Sequence, residues 1–176
     1  MTIVPDTKNW TWVINSACPE CGFDASSIAA SEVPRLLRDN ANKWQSVLIK
    51  RADVRDRPRD DVWSPLEYGC HVRDVCRVFV QRVRLMLAED DPQFPNWDQN
   101  ATAERDRYGE QNPPVVAAEL AEAAETMASE LKQVSESQWQ RTGTRSDGIT
   151  FTVDSLARYF IHDPVHHLYD VTGIRH

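Results

Sequence analysis

The sequence predicts an all-α fold, an antiparallel four-helix bundle, and three observations carry that expectation. Four segments place apolar residues at helical spacing. Each of the four opens on a residue able to cap a helix, and two of them follow the cap with proline. Strand-type alternation is scarce throughout.

The first helix is expected near 31–50, in "SEVPRLLRDNANKWQSVLIKR". Ser31 stands where a cap belongs, and Val33, Leu36, Leu37, Trp44, Val47 and Leu48 form its stripe. The second, near 64–88, carries the fullest start signal. Ser64 is the N-cap, Pro65 the first helical residue and Glu67 the return partner of a capping box. Tyr68, Val72, Val75, Phe79, Val83 and Met86 then share one face. The third helix, near 113–136, opens on Asn112 and Pro113. The fourth, near 153–172, opens on Thr152 and closes on Gly173, a residue suited to the left-handed turn that ends a helix. Residues 31–176 are therefore read as the bundle, and residues 1–30 as an N-terminal extension with a "CPEC" turn. The connection between the second and third helices, "DPQFPNWDQNATAERDRYGEQ", is long, and long connections in compact domains are often functional.

The chain has 176 residues and a formal net charge of −7. An acidic chain is a poor ligand for phosphate backbones. The run "KRADVRDRPR" is interrupted by aspartates and reads as a solvated loop, so no nucleic-acid partner is expected. The longest apolar runs are too short to span a bilayer, and "MTIVPDTKNWTW" lacks the basic start and apolar core of a signal peptide. No membrane partner is expected, and the cytoplasm, with reduced cysteines, is the expected location.

Chemistry concentrates in "HDPVHHLYD", which gathers His162, Asp163, His166, His167 and Asp170 on the last helix. Residues four apart share a helix face, which gives two ligand registers. One pairs Asp163 with His167, the other His162 with His166. The stripe of Val153, Leu156, Ala157, Phe160, Leu168 and Val171 puts Asp163 and His167 at its inward edge and turns His162 to the opposite side. The first register is preferred on that ground. Pro164 leaves the other open, since a kink or bulge there would bring His162 inward. His71, at the edge of the second helix's apolar face, becomes a ligand candidate only if such a cluster faces it.

Cys18 and Cys21 have the spacing of half a zinc knuckle or of a redox pair. Cys70 and Cys76 sit six residues apart within a helix and supply no second CxxC. The "CPEC" segment is therefore expected to be a tight turn whose free thiols are not needed for folding.

The residues "WSPLEYGCHVRDV", followed on the last helix by Asp163, His167 and Asp170, resemble the DinB-like superfamily, which includes mycothiol-dependent maleylpyruvate isomerases and related thiol transferases. That family has a histidine on the second helix and a His-x3-His or Glu-x3-His pair on the last, with Gln or Asp three residues on. The resemblance covers residues 31–173 and makes His71, Asp163 and His167 the implied metal ligands, with Asp in place of Glu. His162 and His166 match the alternative form, with Tyr169 where Gln or Asp is expected. It implies a divalent metal, zinc first and nickel, iron or manganese as alternatives, in a site open to a small-molecule thiol and an electrophilic substrate. Asp170 is the catalytic candidate, orienting His167 or a bound water, and Asp74 a similar candidate beside His71. The implied activity is transfer of a low-molecular-weight thiol, or isomerisation through a thiol adduct. A homodimer through exposed helix faces fits the family. The rival readings are a non-catalytic, metal-stabilised stress-response or interaction protein, and a cluster that binds nothing.

Overall fold

The computed structural model describes residue 3 and residues 9–176; the rest of the opening stretch read against a signal peptide lies outside the described residues. In chain order the elements are helix α1 (Val33–Lys50), helix α2 (Pro65–Ala88), strand β1 (Gln93–Phe94), helix α3 (Gln99–Arg105), helix α4 (Pro113–Lys132), strands β2 (Thr142–Arg145) and β3 (Thr150–Thr152), and helix α5 (Val153–Thr172). Helices α1, α2, α4 and α5 form the four-helix bundle that the sequence predicts.

The start signals act largely as their chemistry requires. The Glu67 amide donates to the Ser64 hydroxyl at 3.3 Å, and the Ser64 amide donates to the Glu67 carboxylate at 2.8 Å. Asn112 accepts from the Val115 amide, and Thr152 from the Ser155 amide. Gly173 closes α5 at φ +70°, where a side chain would be strained. Two boundaries differ from expectation. Ser31 does not cap α1: residues Ala30–Glu32 make a 3₁₀ turn first, and the Ala29 amide donates to Glu32. Helix α4 stops at Lys132, because Ser135 opens a separate 3₁₀ turn over Glu136–Gln140.

Side-chain contacts fix the helix directions. Arg73 meets Glu119 and Arg84 meets Glu130, so α2 and α4 run side by side in the same sense. Asn40 and Trp44 reach Pro164 and Arg51 reaches Val171, so α1 and α5 also run together. Arg38 meets Glu125, Phe79 meets Phe160, and His71 faces Asp163, so the two pairs oppose each other, and the expected antiparallel arrangement holds between the pairs and not within them. Entering α4 in the sense of α2 means climbing back along a helix of 24 residues, about 36 Å. That return explains the long connection.

The small sheet is not foreseen by the sequence. β1 pairs with β2 in parallel (Gln93 with Thr144), and β2 with β3 antiparallel (Gly143 with Phe151). Strands this short carry no readable alternation. A Cβ at Gly143 would sit 2.6 Å from Met86 Cγ, so glycine lets this sheet lie against the end of α2.

Leu37, Trp44, Leu48, Leu66, Leu120, Met127, Leu131, Leu156 and Phe160 fill the core. The extension joins it, since Cys18, Cys21, Phe23 and Ala25 are buried in the same cluster. The basic run is occupied by local ion pairs, Arg51 with Asp53, Arg57 with Glu67 and Arg59 with Asp61. Among the described residues no helix is long and apolar enough to cross a membrane.

Candidate metal centre

One end of the bundle brings together His71 of α2 and Asp163 and His167 of α5. One ligand-type atom from each lies within 4.8 Å of the others. His71 Nε2 is 3.4 Å from Asp163 Oδ1, and His167 Nε2 is 3.8 Å from the same oxygen. His71 is fully buried, and neither of its ring nitrogens nor Asp163 Oδ1 has a hydrogen-bond partner. Buried polar atoms left without partners are rare. Two imidazole nitrogens and a carboxylate oxygen converging in this way fit a divalent cation.

The surroundings set ring orientation. His167 Nδ1 bonds Asp170 Oδ2 at 2.8 Å, which turns Nε2 toward Asp163. Trp97 stacks on His71 at 5.4 Å with 12° between the planes, and Trp63 closes another side at 5.3 Å. Trp97 comes from the long connection, whose residues 96–100 also line an open cleft of about 750 Å³ that contains Asp163, His167 and Asp170. Asp74 does not join this group. Its carboxylate is held by Arg73, Arg77 and the Tyr108 hydroxyl.

The second register is not turned to solvent. α5 runs unbroken through Pro164, so no bulge swings His162 toward His71. His162 and His166 are nonetheless 4% and 6% exposed, because the N-terminal extension covers the outer face of α5. Cys18 Sγ lies 3.7 Å from His166 Nδ1, and Cys21 Sγ 3.8 Å from His162 Nε2. All four cysteines of the chain are free thiols. Each pair faces buried partners of its own: Asp163 and His167 meet His71, and His162 and His166 meet Cys18 and Cys21. The signal for this contact is the combination of CxxC with HxxxH, a two-cysteine, two-histidine set that needs no second CxxC.

Burial lowers the pKa of His71 against the opposing pull of Asp163, which favours the neutral imidazole that a metal needs. Burial works against ionisation of Asp163, but His71 and His167 outweigh it and bring its pKa down to about 2. Burial, reinforced by His166, pushes His162 down to about 4. Between about pH 6.5 and about 4 the unfolded chain thus binds more protons at His162 than the folded chain does. The metal-free protein is expected to lose stability as pH falls through that window, on the order of 3 kcal/mol from this group. Asp163 adds its own loss only below about pH 3.8. Urea midpoints of chelator-treated protein at the two ends of the window check this; equal midpoints count against it.

The fold and the site together define a four-helix bundle with a candidate His–Asp–His metal cluster, in which Asp163 and His167 line an open cleft and His71 is buried beside them. The chain belongs to the DinB superfamily, whose family model matches residues 36–171. Among solved structures it is similar to YfiT from Bacillus subtilis, described as a probable metal-dependent hydrolase with an unusual four-helix bundle topology. That likeness has a TM-score of 0.74 at 19% identity and covers 94% of this chain and 95% of that one. No curated protein sequence gives a significant match.

Proposed function

We propose that the chain is a metal-dependent enzyme whose His71, Asp163 and His167 hold one divalent ion, zinc first among the candidates. Its proposed reaction is transfer of a low-molecular-weight thiol of the mycothiol kind to a small electrophile, or isomerisation of a small substrate through a thiol adduct. The observation that carries this reading is the trio of buried atoms without hydrogen bonds, two on His71 and one on Asp163, beside an open cleft that Asp163 and His167 line. Family membership supports it.

A divalent ion held there would lower the pKa of a bound thiol or water and so supply a nucleophile at neutral pH. His71 and Asp163 contribute a neutral and an anionic donor from facing helices. Asp170 would hold the tautomer and the angle of His167, and its proposed role is to take a proton from a group bound in the cleft that it lines. Trp63 and Trp97 shield His71 from water, which strengthens the electrostatic contacts around it. Hydrolysis is the second reading, with water in place of the thiol, and the description of YfiT favours it.

The test combines elemental analysis with turnover. Purified protein should contain divalent metal and consume thiol in the presence of an electrophile. Activity should vanish with a chelator and return with zinc. Turnover of an ester or amide without thiol would select hydrolysis; no metal and no turnover would overturn both readings. Asp170→Asn should weaken metal binding at this site about 10–100-fold, the range for a partner that orients a ligand, with helix content unchanged.

A further inference from the structure

We propose that Cys18, Cys21, His162 and His166 form a second, closed metal site that takes a structural zinc ion. It is separate from the cluster around His71 and shares no ligand with it. Zinc–sulfur bonds of about 2.3 Å and zinc–nitrogen bonds of about 2.0–2.1 Å put sulfur and nitrogen about 3.6 Å apart along a tetrahedral edge. The two thiol–imidazole distances, 3.7 and 3.8 Å, match that edge. The four ligand atoms lie within 4.8 Å of one another, and all four residues are buried. Two thiols and two imidazoles are a set zinc accepts in structural sites, and two deprotonated thiols would cancel the ion's charge at this buried position, where the two histidines edge the open cleft.

The local backbone suits the task. The Gly22 amide donates to the Cys18 carbonyl at 2.9 Å, and Gly22 takes φ +82° to turn the chain so that both thiols point the same way. The Cys18 amide donates to the Phe23 carbonyl, which closes the turn. Trp10 packs over both imidazoles, at 5.3 Å from His162 and 4.9 Å from His166. On the far side of its ring, His166 Nε2 faces the carboxylates of Glu20 and Asp170, each at 3.6 Å, the kind of partner that fixes a ligating histidine.

The site has a job in the fold. Glu20 lies between the two cysteines, and with Trp10 it lines the same cleft as Asp163 and His167. An ion here ties the extension to α5 and thereby builds one wall of the cleft. Because the two centres use positions one residue apart on one helix, the closed site also sets the rotation of α5 that presents Asp163 and His167 to His71.

Cobalt(II) titration of the reduced full-length chain tests this, because only a thiolate-ligated ion gives sulfur-to-cobalt charge transfer in the near ultraviolet. Wild type should bind two equivalents, one of them with that absorption and the visible spectrum of a tetrahedral ion. His71→Ala should keep the absorption and lose the other equivalent. The Cys18→Ser, Cys21→Ser double variant should lose the absorption. His162→Cys should retain it with higher intensity, since a three-cysteine, one-histidine set also holds zinc. Should the double variant not fold, wild type and His162→Cys still decide. Cobalt bound to wild type without thiolate absorption would mean that the four groups make only thiol–imidazole hydrogen bonds, and would overturn the proposal. So would a rapid, reversible Cys18–Cys21 disulfide in zinc-loaded protein, which would mark a redox pair. The proposed activity at His71 stands or falls separately, by the equivalent that carries no thiolate absorption.

Discussion

Replacing His71 with alanine is expected to abolish metal binding at the His71–Asp163–His167 cluster and, with it, turnover. Two ligands from one helix turn would remain, and no other described residue is in place to supply the third donor. The loss of affinity should exceed the roughly 100-fold upper range for removing a partner that merely orients a ligand. Isothermal titration with zinc, after the thiol-rich site has been filled, reads the loss directly. Some stability should go too, because Trp97 and Trp63 lose the ring they pack against. Helical content by circular dichroism should stay near wild type, since His71 makes no hydrogen bond that holds α2 in place. A variant that keeps wild-type affinity would remove His71 from the ligand set and with it the reading of the site.

Trp44→Ala is expected to be the most damaging substitution in the core that leaves every proposed ligand untouched. Trp44 is fully buried, and its indole N–H donates to the Pro164 carbonyl at 3.2 Å. Asn40 donates to the same carbonyl at 3.1 Å. Loss of the ring should cost about 3–5 kcal/mol through the cavity it leaves. Trp44→Phe keeps most of the volume and drops the hydrogen bond, so about 1 kcal/mol is expected from it. Urea unfolding measures both. Pro164 lies between the two members of each ligand pair on α5, so the alanine variant should also weaken metal binding. A loss of less than about 1 kcal/mol for Trp44→Ala would mean that α5 is held in place by contacts other than these.

The bundle was legible in the sequence because its signals are local. Ser64, Pro65 and Glu67 state a helix start within four residues, and Val72, Val75, Phe79, Val83 and Met86 state which side is buried. Asp163, His167 and His71 were legible as a group because periodicity and the family pattern agree on them. The surroundings of His162 and His166 were not. A stripe argument assumes that one face of a helix meets protein and the other meets water. Here a segment some 140 residues upstream lies on the second face, and nothing near position 162 announces it. Asp74 failed for a related reason. One turn after His71 it shares that residue's general direction, but Arg73, Arg77 and Tyr108 compete for its carboxylate and win it. The sheet escaped because its strands are too short for a period of two to register.

The packing of the "CPEC" turn on α5 also imposes an order of events on a growing chain. Cys18 and His166 are separated by 148 residues, so their contact cannot exist until nearly all of the described sequence has been synthesised. Closing a loop of that length costs about 4 kcal/mol in chain entropy, a cost that falls sharply once the intervening helices have already paired. The cysteines would then wait, uncovered, while the intervening helices are made, and be shielded only once α5 has docked on them. A nascent chain of this protein should accordingly be labelled by a thiol reagent at Cys18 and Cys21 until α5 leaves the ribosome, and lose that labelling when it does.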